Sequence, residues 1–155
     1  MRTLLCATVL ALCLSAATPD PVTWKVEAAP RPVKAGGRFT IRLVAKIQDS
    51  WHVYSMKPME DGPIPTQISL AVGQPFQLAA PIKADAPQTL QDPTLKMEVE
   101  LYEGTAGFDL PVKVAAGATP GTQSLVVSAT YQSCNNKMCL APKTVKVEVP
   151  VTVTK

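Results

Sequence analysis

From residue 21 onward apolar and polar residues alternate with a period of two. Successive side chains on a strand point to opposite sides, so this alternation predicts strands with one buried face. In the first run Val22, Trp24, Val26 and Ala28 alternate with Thr23, Lys25 and Glu27; in the second, Phe39, Ile41, Leu43, Ala45 and Ile47 alternate with mostly polar Arg38, Thr40, Arg42 and Lys46. Further along come Met97, Val99 and Leu101 set between Lys96, Glu98 and Glu100, then Phe108, Leu110, Val112 and Val114, then Leu125, Val127, Ala129 and Tyr131. The clearest run is the last, where Val145, Val147, Val149, Val151 and Val153 point one way and Lys146, Glu148, Thr152 and Thr154 the other. Pro150 falls in the outward register of that run and lacks an N–H, which predicts an edge position or a bulge.

Turn signals punctuate these runs: Ala35-Gly36-Gly37, Asp61-Gly62-Pro63, Glu103-Gly104 and Thr119-Pro120-Gly121. No stretch has sustained helical periodicity and no internal repeat is visible. The pattern predicts an all-β fold, an immunoglobulin-like antiparallel β-sandwich of about seven to nine strands. The Pro-rich stretch from Pro75 to Pro93 is the least regular and is expected to be a long loop lying over one end.

Composition changes this picture mainly at the amino terminus. Met1-Arg2, an apolar run from Thr3 to Leu14 and Ser15-Ala16-Ala17 have the order of a bacterial-type signal peptide, with cleavage expected after Ala17. The apolar run is short for a membrane span. Residues 18–155 are then one exported domain, periplasmic or secreted. Cys6 and Cys13 leave with the leader, although Leu10-Ala11-Leu12-Cys13 distantly resembles a lipoprotein acylation box, with Leu12 where a small residue is usual. The net charge of +3 is small and spread along the chain, without a basic run or aromatic platform, so nucleic acid is not expected as a partner.

Cleavage leaves Cys134 and Cys139 as the only thiols, in the segment Tyr131-Gln132-Ser133-Cys134-Asn135-Asn136-Lys137-Met138-Cys139-Leu140-Ala141-Pro142. Three readings compete. A structural staple is common in exported proteins. Yet a ring of about six residues stabilises by only roughly 2 kcal/mol on the loop-entropy model, and the immunoglobulin inter-sheet bridge joins cysteines far apart in sequence. Redox exchange is the second reading: Tyr131-Gln132 ends a strand, Asn135-Asn136 suits a tight turn with positive backbone dihedrals, and the charge of Lys137 favours a thiolate. The third is a Cu(I) site, since Met138 adjoins Cys139 and His52-Val53-Tyr54-Ser55-Met56-Lys57-Pro58-Met59 offers imidazole and thioethers. Methionine is more often ordinary packing.

Two blocks resemble the amino-terminal periplasmic domain of the DsbD thiol:disulfide interchange proteins. Tyr131-Gln132-Ser133-Cys134 with Cys139-Leu140-Ala141-Pro142-Lys143-Thr144 is similar to the family's Tyr-Gln-x-Cys, short gap, Cys-x-x-Pro pattern. Lys46-Ile47-Gln48-Asp49-Ser50-Trp51-His52-Val53-Tyr54-Ser55 is similar to its strand leading to an aromatic-rich edge. The resemblance implies an immunoglobulin-like fold and a Cys134/Cys139 dithiol–disulfide that passes electrons between a membrane thiol carrier and thioredoxin-like periplasmic proteins, including disulfide isomerases and cytochrome-maturation reductases. It also implies that Cys134 forms the mixed disulfide and Cys139 completes the exchange, with Tyr131 and Gln132 as neighbours.

By the same resemblance His52 and Tyr54 stand beside the cysteines; the alternation puts them on one face, opposite Trp51 and Val53. Tyr54 is expected to pack on the disulfide and His52 to tune thiol acidity; the alternative is that both are surface strand residues. The family's acidic-aromatic cap is absent in its usual form. Asp92 and Leu95, within Gln91-Asp92-Pro93-Thr94-Leu95, are its nearest counterparts. Full-length family members continue into a multi-helix membrane domain and a thioredoxin-like domain, so electrons are expected from another polypeptide. The leading expectation is a monomeric thiol:disulfide exchange protein, a protein-disulfide reductase, without cofactor or metal. Its rival is a non-catalytic immunoglobulin-like binding module with a structural disulfide.

Overall fold

Where the alternation is longest, the chain pairs longest. The computed structural model describes residues 20–93 and 95–155, so the expected leader, with Cys6 and Cys13, lies outside the described residues. In chain order the strands are β1 (Val22–Val26), β2 (Val33–Lys34), β3 (Arg38–Ile47), β4 (His52–Tyr54), β5 (Gln67–Leu70), β6 (Phe76–Leu78) and β7 (Lys83–Ala84). There follow β8 (Gln88–Asp92), β9 (Met97–Glu103), β10 (Thr105–Val114), β11 (Gly121–Tyr131), β12 (Ser133–Cys134) and β13 (Lys143–Thr154). No described residue is helical.

One large sheet has the order β1-β3-β10-β6, with β7 also on β10, and the other has the order β2-β13-β11-β5. Strands β3 and β10 pair antiparallel from Lys46 opposite Thr105 to Arg38 opposite Lys113; β11 and β13 pair from Gly121 opposite Val153 to Tyr131 opposite Lys143. Their inward residues form one continuous core that includes Ile41, Leu43, Phe108, Leu110, Val112, Leu125, Val127, Val149 and Val151. Each such side chain contributes roughly 1.5–3 kcal/mol by leaving water. This is the immunoglobulin-like sandwich the alternation predicts.

Details depart from the sequence reading where local context intervenes. Strand β1 stops at Val26, and Ala28 is exposed beyond it. At Pro150 strand β13 is a free edge, because β2 reaches only Val153 and Thr154. Thirteen strands exceed the expected seven to nine because several have only two or three residues, too few to show a period.

The stretch 75–93 is not the expected loop. It holds β6, β7 and β8, with Pro75, Pro81, Pro87 and Pro93 falling between the strands, where a missing N–H breaks no ladder. Arg42 fastens this stretch to the sandwich. Its guanidinium donates to both Asp85 oxygens at 2.7 and 2.9 Å and to Asp109 at 3.0 Å, while Gly107 N–H donates to Asp85 at 2.7 Å. A Cβ at Gly107 would lie 2.1 Å from that guanidinium, so a side chain there would have to push Arg42 from its present position. So anchored, the stretch delivers β8 to a third, smaller sheet of order β12-β4-β9-β8.

Candidate functional site

The third sheet carries the cysteines at its edge. Cys134 and Cys139 are joined by a disulfide with Cα atoms 4.0 Å apart, and they face each other as an isolated antiparallel bridge. The arms are closed by Leu140 N–H donating to Ser133 O at 2.9 Å and Asn135 N–H donating to Met138 O at 2.9 Å. Gln132 Nε2 adds a clamp at the base, donating to Leu140 O at 3.1 Å.

The turn itself differs from expectation. Among the described residues the non-glycine positions with positive φ are Ser50, Asp61 and Lys96, so neither Asn135 nor Asn136 adopts the left-handed region. Instead Asn135 Oδ1 accepts from the N–H groups of Lys137 and Met138, both at 2.9 Å. The side-chain carbonyl thus satisfies amides that a tight turn leaves without partners.

Neighbouring strands place the two sulfurs in unlike surroundings. Cys134 is paired directly with His52 on β4, and β4 in turn sets His52 opposite Glu103 and Tyr54 opposite Leu101 on β9. Cys134, 1% exposed, clusters with Tyr54, Val99 and Leu101, with Met59, Leu90 and Met97 packed around them. Cys139, across the bridge, is exposed.

His52 and Tyr54 do share a face, and they are not surface residues: their exposures are 7% and 2%. On the opposite face Val53 is buried in the main core and Trp51 packs against it. Tyr54 OH donates to Asp92 Oδ2 at 2.9 Å, His52 Nε2 lies 3.3 Å from Tyr54 OH, and the two rings meet edge to face at 5.2 Å. His52 Nε2 is 3.9 Å from Asp92 Oδ2. Burial pushes the His52 pKa below its ordinary value, opposed in part by Asp92 and then Glu103. Burial, and then the hydrogen bond to Asp92, pushes the Tyr54 hydroxyl well up.

Asp92 ends β8 and is itself buried at 3% exposure, inside the cluster. Its Oδ1 accepts from Leu95 N–H at 2.9 Å and its carbonyl from Lys96 N–H at 2.8 Å, so the β8–β9 turn is tied to the triad. The Leu95 side chain stands at the surface. Of the two candidate cap residues, one is an internal anchor and the other an exposed turn residue.

Tyr131 turns away from the disulfide. Its ring lies in the main core 5.3 Å from Trp24, and its hydroxyl donates to Asp20, which also receives Lys143 at 2.8 Å and Val22 N–H at 3.0 Å. Burial alone would raise the Asp20 pKa, but the bonds from Lys143, Tyr131 and Val22 outweigh it and leave it lowered. Sequence reasoning missed this clamp at the foot of the hairpin, because nothing local links Asp20 to Lys143. It also placed Val99 and Leu101 among ordinary strand residues, whereas they floor the cysteine site. The thioethers of the copper reading are dispersed: Met56 packs on the main core, Met59 on the small cluster, and Met138 is exposed at the hairpin tip.

No curated protein matches the chain. Among solved structures, the reduced N-terminal domain of DsbD from Neisseria meningitidis superposes with a TM-score of 0.52 at 14% identity, covering 76% of this chain and 82% of that one. The N-terminal periplasmic domain of ScsB from Proteus mirabilis gives a TM-score of 0.53 at 15% identity, covering 83% of this chain and 44% of that one. At such identities the likeness shows the fold. The family described as "Thiol:disulfide interchange protein DsbD, N-terminal" matches residues 20–150. With that match over most of its length, the chain belongs to the family of DsbD N-terminal domains, whose chemistry is thiol:disulfide interchange.

Proposed function

We propose that this protein passes electrons between a membrane thiol carrier and thioredoxin-like partners in the periplasm, through the Cys134/Cys139 pair. The observation that carries the reading is the asymmetry of the bridge. One sulfur belongs to an exposed residue and the other to a residue 1% exposed, beside a buried histidine, tyrosine and carboxylate. A partner thiolate attacks the sulfur it can reach and expels the other, so exchange begins at Cys139 and Cys134 is the resolving thiol. This reverses the order implied by the family resemblance, which linked the partner to Cys134. Among the described residues no helix is long and apolar enough to cross a membrane.

The test is trapping against a thioredoxin-like partner that lacks its own resolving cysteine and whose remaining cysteine is first activated as a mixed disulfide with 2-nitro-5-thiobenzoate, the thiolate that the domain's cysteine displaces. Cys134→Ser leaves Cys139 to accumulate as a stable mixed disulfide, whereas Cys139→Ser leaves a buried thiol that captures at least tenfold less. Equal capture by both variants removes the proposed order. A disulfide that resists fully reduced donors, with a potential below about −300 mV, identifies a structural staple instead.

A further inference from the structure

We propose that His52 is the base that takes the proton from Cys134 when this sulfur closes the disulfide and releases the partner. The inference rests on the exchange reading above and assigns the proton that exchange leaves unaccounted for. Cys134 is the buried sulfur, and a thiol in apolar surroundings holds its proton more tightly than one in water. It therefore needs an acceptor already in place.

His52 is opposite Cys134 in the β12–β4 register and on the same face, where paired residues have Cβ atoms about 4.5–5.5 Å apart. It is the only histidine of the chain. The Tyr54 hydroxyl donates to Asp92, so its oxygen receives His52 Nε2–H, and the imidazole lone pair falls on Nδ1. The charged and titratable groups around the ring are Tyr54 on β4, Glu103 on β9, Asp92 on β8 and Cys134 on β12. Burial keeps the resting imidazole neutral, which is the form a base requires, and Asp92 at 3.9 Å stabilises the imidazolium once formed.

The step balances. Nδ1 takes the Cys134 proton; the thiolate pair forms the Cys134–Cys139 bond; the bond from Cys139 to the partner sulfur breaks, and the partner leaves as a thiolate. The domain is oxidised and the partner reduced. In reverse, the imidazolium returns the proton to Cys134 as Cys139 is attacked.

The reduced domain treated with 5,5′-dithiobis(2-nitrobenzoate) should release one coloured thiol as Cys139 reacts and a second as Cys134 displaces the adduct. In the native protein the second rate should be flat from about pH 7 to 9, above the ordinary imidazole range. His52→Gln should slow it on the order of a hundredfold at pH 7 and make it rise about tenfold per pH unit. A normal first release followed by an unchanged second rate and profile overturns this proposal alone; an absent first release overturns the exchange reading and this proposal with it. Should His52→Gln not fold, nuclear magnetic resonance of the native protein decides. The imidazole should titrate differently in the dithiol and disulfide forms, and identical curves overturn the proposal.

Discussion

Between the two large sheets the fully buried side chains include Phe108, Leu110, Val112, Leu125, Val127 and Val151, all aliphatic or aromatic. Around the disulfide the buried set is His52, Tyr54, Asp92 and Cys134 on a floor of Val99 and Leu101. Burying such polar groups is costly unless they bond to one another. A cluster this small cannot supply the free energy to hold them. Its strands solve the problem by belonging to both cores: β4 sends Val53 inward and β9 sends Tyr102, while their other faces carry the site. Stability is concentrated in one part of the molecule, and a polar, chemically able cluster is attached to it by alternation alone.

The largest effect that tests this division comes from the sandwich. Phe108→Ala, which empties a position against Trp24 and Tyr102, should cost about 3–5 kcal/mol in denaturant unfolding. Replacing both Cys134 and Cys139 by Ser should cost no more than about 2 kcal/mol, because the ring they close is short. If the cysteine variant unfolds first, the bridge is part of the frame and the division is wrong.

The same contrast explains what could be read from the chain. Strands β3, β10, β11 and β13 each have ten or more residues, so their periods are visible in isolation and their buried faces were correctly assigned. In the third sheet only β9, with seven residues, shows a period of its own; β12 has two residues, β4 three, and β8 is hidden among prolines, so the pairing of these strands into one sheet was not legible. The cysteine pair stood out by chemistry, and its neighbours His52 and Tyr54 by the family resemblance. That Cys134 is sealed and Cys139 open depends on β4 lying along one arm of the hairpin, which is a tertiary fact. Asp92 was placed as a cap by position in the chain, but its carboxylate points inward to Tyr54.

A middle-sized effect probes the polar cluster itself. Tyr54→Phe keeps the ring against Cys134, Val99 and Leu101 but removes the hydroxyl that donates to Asp92. A hydrogen bond to a buried charged group is worth about 1.5–3 kcal/mol, and stability should fall by that amount with an unchanged denaturant slope. The secondary structure should persist, since Val53 and Tyr102 still anchor the strands on the other side. A loss below about 0.5 kcal/mol would mean that Asp92 is satisfied without Tyr54, and the triad would no longer explain how β8 is held.

The smallest effect should come from the hairpin tip, and its sign is the informative part. Asn135 Oδ1 holds two backbone amides of an exposed turn, so Asn135→Ala should change global stability by no more than about 1 kcal/mol. In the disulfide form the covalent ring already restrains that turn. In the dithiol form the turn loses that covalent restraint, and the Asn135 side-chain bonds add to the backbone bonds and the Gln132 clamp that hold the two arms together. Losing them makes ring closure less favourable by roughly 0.5–1 kcal/mol, which raises the reduction potential by about 10–20 mV. Equilibration against glutathione buffers measures this directly. A potential that falls on substitution would show that the turn strains the bridge rather than preparing it, and that the hairpin, unlike the rest of the site, works against its own closure.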